Sequence, residues 1–549
     1  MKIKNIRILR RVSQTIFLVL FLFLLLKTEF RGTFKKSEVE TIRLNYPVRV
    51  FLEFDPLVVF STSISTHSIY KGTIWALIFI GITLIFGRAF CGWVCPLGTL
   101  NHFFSHIKLR RKGAKLIKSN KWKSWQIVKY YILIGLITAG LFTSLQTGLI
   151  DPIPFLVRSL SVSILPAVNY GIRGILNGLY QTNIPVFQHI SDFSFAALGS
   201  TLLSYKQTFY HYSFLIGVIF ITVLALNRVI TRFWCRGICP LGAFLGLISR
   251  FSIFGLEKYP EKCTECNRCL LYCQGGDDPH PKDRWKSSEC HLCLNCQAEC
   301  PEGALKFKFF PSRKRTQITP DFQRRRILTG IVAGAALVPV LRATSGLTKN
   351  YNPRLIRPPG SLDEKEFLKR CIRCGECMKV CPTNAIQPTF LEAGVEGMWT
   401  PMLIMRIGYC EHTCVLCSQV CPTGAIWRIT EEEKLGIKTG KPVKIGTAFY
   451  DRGRCLPWAM DTPCIVCEEF CPTSPKAVWL KEEKIVKRDG TVTTIKRPYI
   501  DPKICWGCGI CEHVCPVQDK PAVYVTSIGE SRSKTNQILL EKKTDTGKK

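Results

Sequence analysis

The cysteines leave this chain few ways to fold. Of the 28 present, 24 stand in six groups of four. Four groups share the spacing C-x2-C-x2-C-x3-C: Cys263, Cys266, Cys269 and Cys273; Cys290, Cys293, Cys296 and Cys300; Cys371, Cys374, Cys377 and Cys381; Cys505, Cys508, Cys511 and Cys515. Two variants lie between the last two of these: Cys410, Cys414, Cys417 and Cys421, then Cys455, Cys464, Cys467 and Cys471. Three thiolates this close belong to one tight loop that wraps a [4Fe–4S] cube and turns its backbone N–H groups to the sulfurs. The fourth thiolate serves a neighbouring cube. Disulfide frameworks of such density belong to short secreted chains rather than one of 549 residues. A closed zinc site could explain one group but not this regularity. No C-x-x-C-H occurs, so covalent haem is not implied. The spacing predicts six [4Fe–4S] clusters.

Ligand exchange between paired loops then predicts which thiol completes each cube. Cys300 joins Cys263, Cys266 and Cys269, and Cys273 joins Cys290, Cys293 and Cys296. For the last four groups the preferred order is nested. It gives Cys515 to Cys371, Cys374 and Cys377, and Cys381 to Cys505, Cys508 and Cys511. It likewise gives Cys471 to Cys410, Cys414 and Cys417, and Cys421 to Cys455, Cys464 and Cys467. Side-by-side pairing is the alternative.

The other four cysteines form an internal repeat. FDPLVVF at 54–60 precedes an apolar run that ends in FCGWVCPLGTL, and IDPIPFL at 150–156 precedes one that ends in FWCRGICPLGAF. Each unit is an Asp-Pro turn, a spanning helix and C-x3-C-P-L-G, which reads as two helix units related by approximate symmetry. Thiols at i and i+4 share a face if the segment stays helical. Cys91, Cys95, Cys235 and Cys239 are therefore candidate ligands of a further metal such as iron, or a redox-active dithiol. The plainer reading is small buried residues that stabilise a turn before Pro96 and Pro240.

Apolar runs long enough to cross a bilayer occur near 12–28, 69–87, 129–149 and 209–228, with a shorter one at 327–341. The formal charge of +35 is uneven: residues 1–343 carry 44 basic and 17 acidic side chains, and residues 344–549 carry 31 and 23. Between Lys108 and Lys123 eight Lys or Arg residues stand with no acid, directly between two apolar runs, as in a cytoplasmic loop. A basic chain also suits nucleic acid, but these charges flank apolar runs rather than exposed aromatics, so no nucleic-acid partner is expected. The ladder gives five crossings, a cytoplasmic N-terminus and an exported C-terminal part. The apolar patches at 155–165 and 192–205 read as re-entrant or interfacial. QRRRILTG, with Arg324 and Arg325 as its pair, is similar to a twin-arginine export signal.

Nothing in the chain matches a P-loop, a dinucleotide fingerprint, a serine elbow or a metallohydrolase helix. Cofactor electronics must do the chemistry, and the protein sets spacing and potential. An electron carrier in a membrane needs an entry, and the lipid-soluble donor is a quinol, bound where a carboxylate can take a proton. Asp55 and Asp151, each before a proline, are the candidates, and their plainer role is to start a helix.

With these motifs in hand, residues 1–310 resemble the membrane polyferredoxin of the periplasmic nitrate reductase system, through Cys91–Cys95, Cys235–Cys239 and the groups at 263–273 and 290–300. Residues 324–520 resemble its four-cluster periplasmic ferredoxin partner. The resemblance implies a multi-span α-helical membrane domain joined to bacterial ferredoxin-like (α+β) [4Fe–4S] domains in the bacterial inner membrane. The divisions are a membrane domain at 1–255, a cytoplasmic two-cluster domain at 256–310, and a twin-arginine-like anchor at 311–345. A periplasmic four-cluster domain at 346–525 and a polar tail at 526–549 follow. It implies a quinol dehydrogenase component without its own terminal substrate-reducing site. Electrons from the membrane quinone pool would go to a periplasmic reductase or small cytochrome within a larger respiratory complex. The alternative is an assembly or regulatory polyferredoxin that reduces the metal or thiols of a partner enzyme. The chain departs from the family by being fused, by having Gln274 rather than proline after Cys273, and by the long gap from Cys455 to Cys464.

Overall fold

Apolar helices and cysteine-rich loops alternate along the chain, and the helices assemble between two ferredoxin-type units. The computed structural model describes residues 3–30, 44, 47–70, 72–105, 113–199, 203, 204, 206–312, 316, 324–346, 352–486, 490–533 and 535–538. The start of the basic stretch, 108–112, and the tail from 539 lie outside the described residues.

The helical domain contains α1 (Ile3–Lys27), α2 (Pro56–Thr66), α3 (Thr73–Phe86), α4 (Ala89–Trp93), α5 (Pro96–Phe104), α6 (Val128–Leu141) and α7 (Pro152–Ser159). A π-helical turn (Leu160–Ile164) leads into α8 (Leu165–Tyr180), followed by α9 (Ser213–Leu226), α10 (Phe233–Gly237), α11 (Pro240–Ser249) and α12 (Arg324–Gly346). Among the described residues, three stretches are long and apolar enough to cross a membrane: Ile6–Lys27, Gly113–Leu141 and Pro152–Tyr180. Ile16, Leu77, Phe214 and Ile221 are exposed on helix faces, as side chains that meet lipid would be.

Two of the five apolar runs form shorter helices than their length in sequence suggests. The runs at 69–87 and 209–228 fold as helices of only 14 residues, α3 and α9. After each the chain turns into a Cys-bearing half-helix, through Gly87 (φ 74°), which ends α3, and through Arg232 (φ 52°), which caps the half-helix that follows α9. Non-helical backbone at that depth is tolerated when protein surrounds it. The patch at 155–165 is part of the continuous helical stretch Pro152–Tyr180, 29 residues long. The run at 327–341 is helical, as α12, and packs along α6. The contact is close because it is lined by glycine: a Cβ on Gly334 would meet the Gly135 carbonyl at 2.7 Å.

Among the described residues, four antiparallel two-stranded ladders close the cysteine loops. In the first unit β1 (Phe254–Lys258) pairs with β2 (Leu305–Phe309). In the second unit β3 (Ile386–Pro388) pairs with β4 (Pro401–Leu403), β5 (Thr447–Tyr450) with β8 (Val523–Thr526), and the hairpin of β6 (Val478–Val486) with β7 (Val492–Ile500).

The second unit is tied end to end by Glu364. Its carboxylate accepts from Arg357 Nη2 at 2.5 Å and from Arg532 Nη1 at 2.8 Å. Burial pushes this carboxyl up, but the two guanidiniums outweigh burial and hold it at about 2, against an ordinary 4.5. A carboxyl with a depressed native pKa stabilises the fold above its unfolded value, and that contribution fades as the pH falls towards the native one. Glu364→Gln should therefore lower the thermal midpoint at pH 7. The gap to wild type should narrow steadily below pH 4.5, and a gap independent of pH would contradict the ion triad.

Candidate electron-transfer centres

Each of the four regularly spaced loops has the same backbone. The second and fourth residues after the first cysteine are left-handed: Glu265 and Asn267, Leu292 and Leu294, Arg373 and Gly375, Gly507 and Gly509. Left-handed backbone is costly for residues with a Cβ, so its repetition at leucine and arginine shows that the loop demands it. Alternating conformations of this kind turn successive N–H groups to one side and make an anion-binding concavity.

The thiols close into six cages of four. Cys263, Cys266 and Cys269 share a cavity with Cys300 (the Cys266 cage), and Cys273 lies with Cys290, Cys293 and Cys296 (the Cys293 cage). In the second unit Cys421 completes Cys371, Cys374 and Cys377 (the Cys374 cage), and Cys381 completes Cys410, Cys414 and Cys417 (the Cys414 cage). Cys471 completes Cys505, Cys508 and Cys511 (the Cys508 cage), and Cys515 completes Cys455, Cys464 and Cys467 (the Cys464 cage). The nested order is thus overturned in favour of side-by-side pairing. The physical reason is locality. Residues 371–421 and 455–515 each fold around their own strands, and closing a short loop costs less chain entropy than bringing Cys381 to Cys505.

The cages of the second unit follow one another in a line. Cys377 of the Cys374 cage neighbours Cys417 of the Cys414 cage. Cys410 N donates to Cys508 O at 2.8 Å, which joins the Cys414 and Cys508 cages. Cys511 neighbours Cys467 of the Cys464 cage. Buried Lys434, which the cysteine pattern gave no reason to single out, donates to Cys410 Sγ at 3.4 Å and to Cys414 O at 2.7 Å, so a fixed cation stands at the Cys414 cage.

The helical core links the two units. The Cys374 loop sits on it so closely that a Cβ on Gly148 would lie 2.0 Å from Ile372 O. Arg158, on α7, donates to Arg373 O at 2.9 Å, Gly148 O at 3.2 Å and Leu149 O at 2.8 Å, and Arg373 returns a hydrogen bond to Leu145 O. Opposite, Trp93 Nε1 donates to Leu292 O at 3.0 Å and Arg10 to Cys293 O at 3.2 Å, which seats the Cys293 cage against α4 and α1. The apolar core between them contains Cys91, Cys95 and Cys239 together with Ile372 and Cys374.

Cys91, Cys95, Cys235 and Cys239 are all buried and lie within electrostatic range of one another. They do not share a continuous helix face. Cys91 and Cys235 sit inside the five-residue α4 and α10, whereas Cys95 and Cys239 are the extended N-caps of α5 and α11. Their sulfurs accept from Gly98 N at 3.4 Å and Gly242 N at 3.2 Å, with proline at the first helical position. The PLG that follows each pair is explained by this turn. Proline suits a helix start, and a Cβ on Gly98 would strike Cys91 O at 2.8 Å. Among the described residues no three His, Cys, Asp or Glu side chains close on a single metal ion.

Asp55 and Asp151 do start helices. Asp55 Oδ1 accepts from Leu57 N at 2.9 Å, and Asp151 Oδ1 accepts from Ile153 N at 3.2 Å. The two are also fully buried and within electrostatic range of each other, beside Cys91 and Cys239, and their Oδ2 atoms have no hydrogen-bond partner. Two buried carboxyl groups this close disfavour a state in which both are ionised. The symmetry of the repeat brings them together, and no local motif could have shown it.

Comparison with known proteins agrees with this geometry. A family described as "4Fe-4S binding domain" matches residues 70–115 and 210–256, the two C-x3-C-P units, and another of that description matches 367–387. A "4Fe-4S dicluster domain" matches 437–518. Ferredoxin-type protein NapG of Escherichia coli is 30% identical over 38% of this chain and 86% of its own length. Methylamine utilization ferredoxin-type protein MauM of Methylorubrum extorquens is 32% identical over 35% of this chain and 84% of its own. The putative electron transport protein YccM of E. coli is 24% identical over 41% of this chain and 51% of its own. No solved structure matches. The cages and these relatives make it an iron–sulfur electron-transfer protein with a helical membrane domain, and the chain belongs to the family of ferredoxin-type proteins that includes NapG and MauM.

Proposed function

We propose that this protein oxidises a membrane quinol and passes the electrons through [4Fe–4S] clusters to a reductase or small cytochrome outside the cytoplasmic membrane. The 24 caged cysteines hold six clusters. The carrying observation is the line of cages: the Cys374 cage abuts the helical core, and the Cys414, Cys508 and Cys464 cages lead away from it. Electrons leave at the Cys464 cage, where Cys464 is partly exposed and Met460, Ile465 and Phe470 present exposed apolar side chains to an acceptor.

Quinol oxidation releases two electrons and two protons, and the Asp55–Asp151 pair supplies the buried carboxylate that takes a proton. Asp151→Asn and Asp55→Asn are the informative variants, because asparagine caps a helix as well as aspartate and leaves the fold intact. With full cluster content, quinol-driven reduction of the clusters in membranes should slow about 100- to 10,000-fold, the scale of a lost general base. Unchanged turnover would remove the pair from the quinol site. If quinol reduces no cluster in the wild type, the dehydrogenase reading fails.

A further inference from the structure

Each C-x3-C-P unit supplies two thiols, too few for a cluster, yet the fold brings all four into one buried place. The units also share a residue three positions before the first cysteine: Arg88 before Cys91 and Arg232 before Cys235. These arginines are 1% and 0% exposed. Arg88 Nη1 donates to Ser288 O at 2.8 Å and Arg232 Nη1 to Cys91 O at 3.1 Å, but Nε and Nη2 of both have no hydrogen-bond partner. Arg88 Nη2 lies near the Cys239 thiol: it and Cys239 Sγ would both crowd a Cβ on Gly242, at 2.6 and 3.3 Å, and Cys91 is also within electrostatic range of this arginine. Arg232 lies within electrostatic range of Cys95 and Cys235. Glu289, the nearest carboxylate to Arg88 at 3.9 Å, is already paired with Lys129 and Tyr130.

Two buried guanidiniums with free N–H groups are costly unless an anion faces them. Four neutral thiols or two disulfides would leave Arg232 facing no anion and Arg88 with only Glu289, which Lys129 already shares. Four thiolates around an oxidised iron–sulfur core carry a net charge of about −2, which matches the two cations. The two helix N-termini capped by Cys95 and Cys239 favour thiolates too. Because no three of the thiols close on one ion, a core of several metals suits them better than a single zinc.

We propose that Cys91, Cys95, Cys235 and Cys239 together hold one further iron–sulfur core, kept anionic by Arg88 and Arg232, which relays electrons between the Cys293 and Cys374 cages. The inference rests on the electron-transfer reading above. Each passage is a one-electron exchange: one neighbour is oxidised as the core is reduced, the other is reduced as the core is re-oxidised, and no bond to the protein forms or breaks. Arg88 and Arg232 are positioning residues.

The test uses the full chain in detergent, with iron and acid-labile sulfide counted per chain and clusters followed by redox-titrated electron paramagnetic resonance. In wild type the iron should exceed about 24 atoms per chain. In C95S/C239S it should fall by about two to four atoms, with loss of one signal and retention of the others. R88Q and R232Q keep all ligands, and should shift that one signal to lower potential, with R88K partly restoring it. Unchanged iron and sulfide in the cysteine variant, stoichiometric zinc, a disulfide at these positions, or potentials indifferent to R88Q and R232Q would each overturn the proposal. The two readings fail separately. If quinol reduces nothing while the extra signal is present, the dehydrogenase reading falls. Quinol-driven reduction with no extra signal removes the seventh centre alone.

Discussion

Cys421→Ser is expected to empty the cage that Cys421 completes with Cys371, Cys374 and Cys377, and to cut the electron path at its first step. Iron should fall by about four atoms per chain. The Cys414, Cys508 and Cys464 cages should keep their clusters, yet their reduction by quinol should slow at least about tenfold, because the lost cluster is the one packed against the helical core. Cys515→Ser is the counterpart. It completes the outermost cage, with Cys455, Cys464 and Cys467, so its loss should leave the other clusters reducible and abolish only delivery to an external acceptor. Under nested pairing the two outcomes would be exchanged, since Cys515 would then serve the Cys371–Cys377 loop. Cluster-resolved magnetic resonance on the two variants checks this directly.

Gly148→Ala should have the next largest effect. Its new methyl carbon would lie 2.0 Å from Ile372 O, a backbone atom held on both sides by cage cysteines, so neither partner can give way cheaply. Overpacking of this kind costs about 1–3 kcal/mol, and here it would be relieved by lifting the Cys374 loop off the helical core. Arg158→Ala attacks the same seam differently. It strips the donors from the buried carbonyls of Gly148, Leu149 and Arg373, at about 1–3 kcal/mol for each group left unsatisfied. Both variants should retain full iron content, expose the 371–377 loop to limited proteolysis, and slow quinol-driven reduction of the second unit more than they slow its reduction by a soluble donor. Normal quinol-driven rates in both would show that electrons enter the second unit elsewhere.

The sites differ in how far they could be read from residues alone. The regular cysteine spacing carried both the chemistry and the local backbone, because three ligands within one loop are a short-range matter. The Asp-Pro turns were legible as helix starts for the same reason, and Asp55 and Asp151 are both N-caps. Their meeting was not legible, since it depends on two units separated by almost a hundred residues. Arg88 and Arg232 were within reach of the sequence: they stand in register in the repeat, but basic residues there read as flanking charge. Gly330 and Gly334 were likewise visible as G-x-x-x-G, and α12 uses them against Gly135 on α6.

By itself the sequence determined that the protein is an iron–sulfur carrier with a helical membrane part, that its thiols come as six fours and two pairs, and that the membrane part is built twice. These follow from ligand spacing, apolar run length and repetition, all of which act over a few residues. The tertiary structure alone decided which thiol completes each cage, in what order the cages stand, where the spanning helices break, and that two carboxyls, four thiols and two guanidiniums converge in one apolar core. Those outcomes depend on contacts between distant segments, where closing the shorter loops and satisfying buried charge choose among arrangements that local pattern leaves equal.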